Sequence, residues 1–248
     1  MASIHTPLSV LSPMVGRKAV IFLNSENLKL HPLFDNLWSG AFPIAFVDGF
    51  ANLMFSRPDR ENFLPQFVTG DFDSINDDAL EYYRSKNSVH VIETPDQIAT
   101  DFTKCIRILN EFIQKEPKAD VIVGAYISGG RSDHEFGLIK SLYEAHKMRS
   151  IPVYLVSDYC VSLLLQEGQH TIHANTGFEG KHVGLIPVGK PCMVTTRGLM
   201  WNLKDQLLSF DDLVSTSNAL TDKIIHISCD NPLLMTMEYN PGINKHLF

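Results

Sequence analysis

Short apolar runs rich in β-branched residues alternate with amphipathic stretches through the first half of the chain. Residues 19–23, 44–47, 67–69 and 89–92 read as buried strands, and a fifth begins at Val121 and runs towards Ile127. Helical patterns lie between them. The clearest covers 101–115, where Phe102, Cys105, Ile106, Leu109 and Ile113 mark one face, and another covers 133–146. Short apolar strands alternating with helices predict a mostly parallel sheet covered on both faces, a three-layer α/β domain. After about Ser157 the rhythm changes. Short alternating runs at 161–165, 183–187, 194–196, 199–203, 224–228 and 233–237 are separated by turn residues such as Gly168-Gln169 and Gly189-Lys190-Pro191. They predict an antiparallel β-sandwich. The expected organisation is therefore α/β over residues 1–157 and β-sandwich over 158–248.

Composition narrows the function classes. The chain has 248 residues, is 44% hydrophobic and carries a net charge of −7. A core of ordinary size is expected, and sequence-independent nucleic-acid binding, which needs a basic face, is not. Cys105, Cys160, Cys192 and Cys229 are scattered without a CxxC pair, which suggests reduced thiols and no structural zinc. No secretory signal is evident in the first 17 residues, and no run approaches the ~20 apolar residues of a membrane span. A cytoplasmic protein is the expectation.

The chemistry concentrates where predicted strands end. Asp71 and Asp73 stand two apart in Gly70-Asp71-Phe72-Asp73-Ser74. In extended backbone their side chains point the same way and share a cation; read locally, the same segment leads into a helix N-terminus. Asp96, Gln97 and Asp101 surround the next junction, with Thr100 a suitable N-cap and Gln97 both donor and acceptor for a polar heterocycle. Gly129 and Gly130 allow close backbone approach to phosphate, and Arg131 offers a bidentate clamp; alternatively Ser132 to Glu135 is a capping box. In a parallel sheet these ends share one edge, where carboxylates gather at a cost unless a hard cation such as Mg²⁺ joins them. In the second half, alternation puts Leu199, Trp201 and Leu203 on one face, so Trp201 is either core or a stacking platform for an aromatic cation. The polar cluster Ser215 to Asn218 reads as a turn.

Together the segments resemble the thiamin pyrophosphokinase family, in its eukaryotic form. The matches are Asp48-Gly49-x-Ala51-Asn52, Gly70-Asp71-Phe72-Asp73-Ser74-Ile75, Thr94-Pro95-Asp96-Gln97 running on to Thr100-Asp101-Phe102-Thr103-Lys104-Cys105, and Gly129-Gly130-Arg131-x-Asp133-His134. Further along they are Gly184 to Gly189, Thr196-x-Gly198-Leu199-x-Trp201-Asn202-Leu203, and Val214 to Asn218, all in family order. The resemblance implies transfer of the diphosphoryl group of ATP to the hydroxyl of thiamin, giving thiamin diphosphate and AMP. It implies Mg²⁺ dependence and a homodimer with sites shared across its interface. It assigns Asp71, Asp73 and Asp101 to Mg²⁺ and catalysis. Asp48, Gly49, Gly129, Gly130, Arg131 and Asp133 fall to the nucleotide, and Gln97, Trp201, Ser215, Ser217 and Asn218 to thiamin.

The chain departs from the family pattern in places. Phe50 and Leu53 stand where glycine and arginine are usual, Ile98 where an acidic residue is frequent, and Met200 where lysine is common. Phe50 places a large side chain where close backbone approach is expected. Two other readings accompany the kinase: a non-catalytic sensor of thiamin or nucleotide, and a Mg²⁺-dependent phosphotransferase for another alcohol.

Overall fold

The computed structural model describes residues 2–13, 16–25, 28 and 31–240, and the chain divides into two compact units, residues 12–158 and residues 1–11 with 159–248. A first short strand, β1 (Ser3–His5), belongs to the second unit. The α/β expectation began at residue 1. The contacts place the first eleven residues with the β unit instead, because β1 pairs in parallel with a strand some 165 residues later, a partner no local pattern reveals.

The α/β unit follows from its apolar runs. β2 (Lys18–Phe22) is buried at all five positions, as a central parallel strand must be. Then come α1 (Pro32–Trp38), β3 (Ala41–Val47), α2 (Phe50–Phe55), β4 (Phe67–Gly70), α3 (Asp77–Arg84), β5 (His90–Glu93), α4 (Asp101–Lys115), β6 (Val121–Ala125), α5 (Ser132–Lys147) and β7 (Val153–Val156). The strands run in the order β7-β6-β2-β3-β4-β5, every pair parallel. β7, α1 and α2 were not read from the sequence. The chain walks outward from β2 to β5, then returns to lay β6 and β7 on the other side. Right-handed crossovers then put α1, α2 and α3 on one face and α4 and α5 on the other. The reversal at β2 creates a switch point, and the carboxyl ends of β2, β3 and β6 open around it.

Helix α4 has the predicted bounds. Phe102, Cys105, Ile106, Leu109 and Ile113 are buried, and the Thr100 hydroxyl caps the helix by accepting from the Thr103 amide (3.1 Å). Helix α5 begins differently from the capping-box reading. Arg131 is its N-cap residue and makes no side-chain cap bond, and the Glu135 carboxylate accepts instead from the Gly129 amide (3.0 Å).

The β unit holds β8 (Cys160–Leu165), β9 (Gly168–His173), β10 (Glu179–Ile186), β11 (Cys192–Arg197), β12 (Gln206–Leu208), β13 (Ser215–Ala219), β14 (Ile224–Cys229) and β15 (Leu233–Tyr239). One antiparallel run has the order β13-β10-β15-β8, and a five-stranded sheet has the order β1-β9-β14-β11-β12, antiparallel except at β1. Alternation is clearest in β14, where Ile225, Ile227 and Cys229 are buried between exposed neighbours. Two expectations fail here. Residues 199–203 make no strand, only an isolated bridge from Leu199 to Leu220 followed by a turn at 200–201, and Ser215 to Asn218 form most of β13 rather than a turn. No helix among the described residues is long and apolar enough to cross a membrane.

Candidate active site

Three carboxylates converge at the strand ends. Asp48 follows β3, and Asp71 and Asp73 follow β4. One oxygen from each lies within 4.8 Å of the others. The convergence does not come from extended backbone. Asp48 and Phe72 both adopt positive φ, 44° and 62°, so the chain turns sharply at each point and swings the acidic side chains together. Gly70 makes this possible: at φ 155°, a Cβ there would stand 2.9 Å from the Cβ of Asp48. At Gly49 a Cβ would meet the side-chain Nδ2 of exposed Asn24 at 2.5 Å, so a larger residue there requires Asn24 to move. Asn52, on α2, holds the loop after β4 at two points. Its Nδ2 donates to Ser74 O (2.7 Å) and its Oδ1 accepts from the Asn76 amide (2.8 Å).

The carboxylates differ in environment. Asp48 is 7% exposed, and its Oδ1 is buried with no hydrogen-bond partner among the described residues. Burial raises its pKa above the ordinary aspartate value; bonds from Ser74 and the Gly49 amide oppose this, while Asp73 and Asp101 add repulsion. Asp71 goes the other way. A hydrogen bond from the Gln97 carboxamide (Nε2 to Oδ2, 2.8 Å) holds its pKa down, helped by the Asp73 amide and the charge of Lys104. Three hard oxygen donors, one of them an orphaned buried oxygen, suit Mg²⁺ or Ca²⁺ better than a softer ion.

Around the triad lies a cavity of about 620 Å³. Its wall includes Asp101, Gln97, Ile98, Gly130, Arg131 and Asp133, so most of the sequence-predicted groups of the α/β unit meet in one place. Asp101, expected with Asp71 and Asp73, is outside the three-carboxylate group and is paired with Lys104 (2.7 Å). Asp48, expected on the nucleotide side, is inside it. Gly129, at φ 87°, precedes that wall. Arg131 is exposed and ion-paired with Asp133 two residues on (2.5 Å), so its fork is already engaged. Phe50 does not enter the cavity. It is fully buried and stacks on Phe22 with centroids 5.4 Å apart and planes 12° apart, while the edge of Phe46 meets it at 5.2 Å.

The comparisons fit this geometry. Residues 34–155 match the thiamin pyrophosphokinase catalytic domain, and residues 169–234 match the thiamin pyrophosphokinase vitamin B1 binding domain. The chain is 36% identical over 237 residues to "Thiamine pyrophosphokinase 1" of Oryza sativa subsp. japonica, covering 88% of this chain and 86% of the relative. It is 35% identical over 235 residues to "Thiamine pyrophosphokinase 1" of Arabidopsis thaliana, covering 89% and 86%. The solved thiamin pyrophosphokinase from Candida albicans superposes with a TM-score of 0.81 at 20% identity, covering 96% of this chain and 93% of that one. The chain belongs to the thiamin pyrophosphokinase family.

The region matched to the family's vitamin B1 binding domain carries the remaining predicted residues. Trp201 sits in a turn and is 60% exposed, whereas Leu199 is 1% exposed, so the two do not share a face. The indole is a surface feature, not core. Asn218, buried in β13, grips that turn from both sides: its Oδ1 accepts from the Trp201 amide (3.1 Å) and its Nδ2 donates to Trp201 O (2.8 Å). Asn218 thus positions the tryptophan. Ser215 and Ser217 lie on the same strand, Ser217 at φ 56°. Sequence reasoning gave no role to Asn24 or Lys104, and saw Asn52 only as part of a motif. The signal available for Asn52 and Lys104 was their place inside motifs; for Asn24 there was none.

Proposed function

We propose that the protein transfers the diphosphoryl group of ATP to the hydroxyl of thiamin, releasing thiamin diphosphate and AMP. The carrying observation is the meeting of Asp48, Asp71 and Asp73 at the carboxyl ends of β3 and β4, in a chain of this family. In this reading Asp48, Asp71 and Asp73 hold Mg²⁺, and Asp101 adds negative charge at the cavity wall. When bound, the ion neutralises phosphate oxygens and stabilises charge that develops during transfer. The chain's own residues align and orient. Gln97 donates to Asp71, which leaves its carbonyl oxygen as an acceptor for the amino group of the thiamin pyrimidine. Arg131 reaches the nucleotide phosphates by exchanging Asp133 for them. Gly129 and Gly130 admit phosphate close to the backbone.

Thiamin is cationic and aromatic, so the exposed indole of Trp201 suits it. We further propose a cytoplasmic homodimer in which the carboxylates of one subunit work with Trp201 of its partner. A sensor would need Phe50 to obstruct the site, and its side chain is buried in the core instead. The test is AMP release from ATP with and without thiamin, the second product identified by mass. AMP formed equally without thiamin, or a phosphorylated product from another alcohol at equal ATP with thiamin inert, defeats the proposal.

A further inference from the structure

Lys104 lies one turn into α4 and is 4% exposed. Three oxygens surround its Nζ. It donates to Thr94 O (2.7 Å) and Asp96 O (2.8 Å), and Asp101 Oδ1 stands 2.7 Å away. The last contact is an ion pair rather than an aligned hydrogen bond, and Asp101 Oδ1 is buried with no hydrogen-bond donor among the described residues. An ammonium has three N–H groups and no acceptor. Two of them are taken by backbone carbonyls and the charge is matched by the Asp101 carboxylate, so the ammonium is held chiefly by the protein's own oxygens at the cavity wall.

Its partners show what it does. Thr94 and Asp96 belong to the loop that leaves β5, and Asp101 opens α4. Gln97 follows Asp96 directly and donates to Asp71 Oδ2. The loop has little else to hold it among the described residues: the Thr94 amide donates to Gly70 O (2.7 Å), and Asp96 Oδ1 accepts from the Ile98 amide (3.0 Å). Two carbonyls and a carboxylate oxygen converging on one point are acceptors without a donor. Absent a buried cation they repel, and the loop opens towards water. Arginine does not replace the ammonium, because a planar fork cannot serve three acceptors around one compact centre.

We propose that Lys104 is a positioning residue of the active site: it locks the loop of residues 94–97 and the carboxylate of Asp101 into one unit, and through Gln97 it sets the direction of Asp71. This rests on the proposed placement of Asp71 and Gln97 in the reacting site.

The test uses the full chain with Lys104→Met, Gln97→Ala and the double variant, and with Lys104→Gln, which keeps two donors. Amide hydrogen exchange is followed by mass across residues 94–100 and 105–115, beside steady-state kinetics with thiamin, ATP and Mg²⁺. For Lys104→Met, exchange in 94–100 should rise at least ~10-fold while 105–115 stays within about twofold, since only the local loop opens. Turnover should fall at least ~10-fold with KM for ATP within about threefold, the signature of lost alignment rather than lost binding. Adding Gln97→Ala to Lys104→Met should raise exchange in 94–100 by less than about twofold more, because both changes cut one connection within the loop. Lys104→Gln should recover part of the exchange protection, and it carries the test if the methionine variant does not fold. Additive increases in the exchange of 94–100, unchanged exchange there, or exchange spreading along all of α4 overturn the proposal and leave Lys104 with a purely structural part. If the unaltered protein makes no AMP from thiamin and ATP, the functional reading fails, yet the exchange measurements still decide whether Lys104 locks the loop.

Discussion

Replacing Phe50 by alanine separates the core from the cavity. Phe50 is fully buried at the start of α2, stacked on Phe22 and edged by Phe46, with Phe34 6.3 Å away centroid to centroid. Truncating a phenylalanine in such a setting costs about 3–5 kcal/mol, because lost transfer energy adds to the cavity left behind. Alanine is the better helix former, which returns ~0.5 kcal/mol at this position in α2. In a chain of this length ~1 kcal/mol moves the melting midpoint by about 2–4 °C, so the drop should be roughly 5–18 °C. The midpoint is read by circular dichroism, and AMP release is assayed well below the variant's melt. Turnover there should stay within about tenfold of the unaltered protein, or ~1.4 kcal/mol, since the Phe50 side chain packs on Phe22, Phe34 and Phe46 and does not line the cavity. A midpoint shift under ~2 °C would contradict the buried placement. A gain in turnover of several hundredfold would mean that Phe50 hampers the site after all, and would restore the sensor reading.

Asp71→Asn and Asp73→Asn should each lower turnover by at least ~10²-fold with little change in melting, the scale of losing an electrostatic contact made in the transition state. Near-normal turnover of either at limiting Mg²⁺ counts against the assignment. His5, on β1, has a pKa lowered from 6.5 to about 4, chiefly by burial and then by His170, whose Nδ1 lies 3.1 Å from its Nε2. As pH falls below 6.5 the unfolded chain takes up this proton before the folded one, so the hold of β1 on β9 is complete above 6.5 and fades towards pH 4. His5→Gln should flatten the dependence of melting on pH across that window, and identical profiles would refute the link. Asp73→Ala and Trp201→Ala chains refolded together should regain roughly a quarter of full activity if sites are shared across a two-fold interface. No recovery, with heterodimers confirmed by mass, excludes the shared site.

Local pattern carried far in this protein. The alternation of apolar runs and amphipathic stretches predicted β2 to β6 of the α/β unit, and the 3.6-residue rhythm together with Thr100 delimited α4 to the residue. Those features depend on neighbours along the chain, so the sequence alone contains them. The motifs likewise marked Asp71 and Asp73, whose oxygens the structure brings together, because side-chain chemistry and spacing are both local. What the tertiary structure decided depends on partners far apart in sequence. Asp48 joins Asp71 and Asp73 because two positive-φ turns on adjacent strands face each other across Gly70. Phe50 faces the core because Phe22, Phe34 and Phe46 form a slot for it. Alternation aligned Trp201 with Leu199, yet the grip of Asn218 makes a turn there and leaves the indole on the surface. β1 departs from the α/β unit because its hydrogen-bonding edge fits β9. Lys104 acquires its task only when Thr94, Asp96 and Asp101 close around its ammonium. A buried cation is defined by the oxygens that surround it, and no stretch of sequence read by itself assembles them.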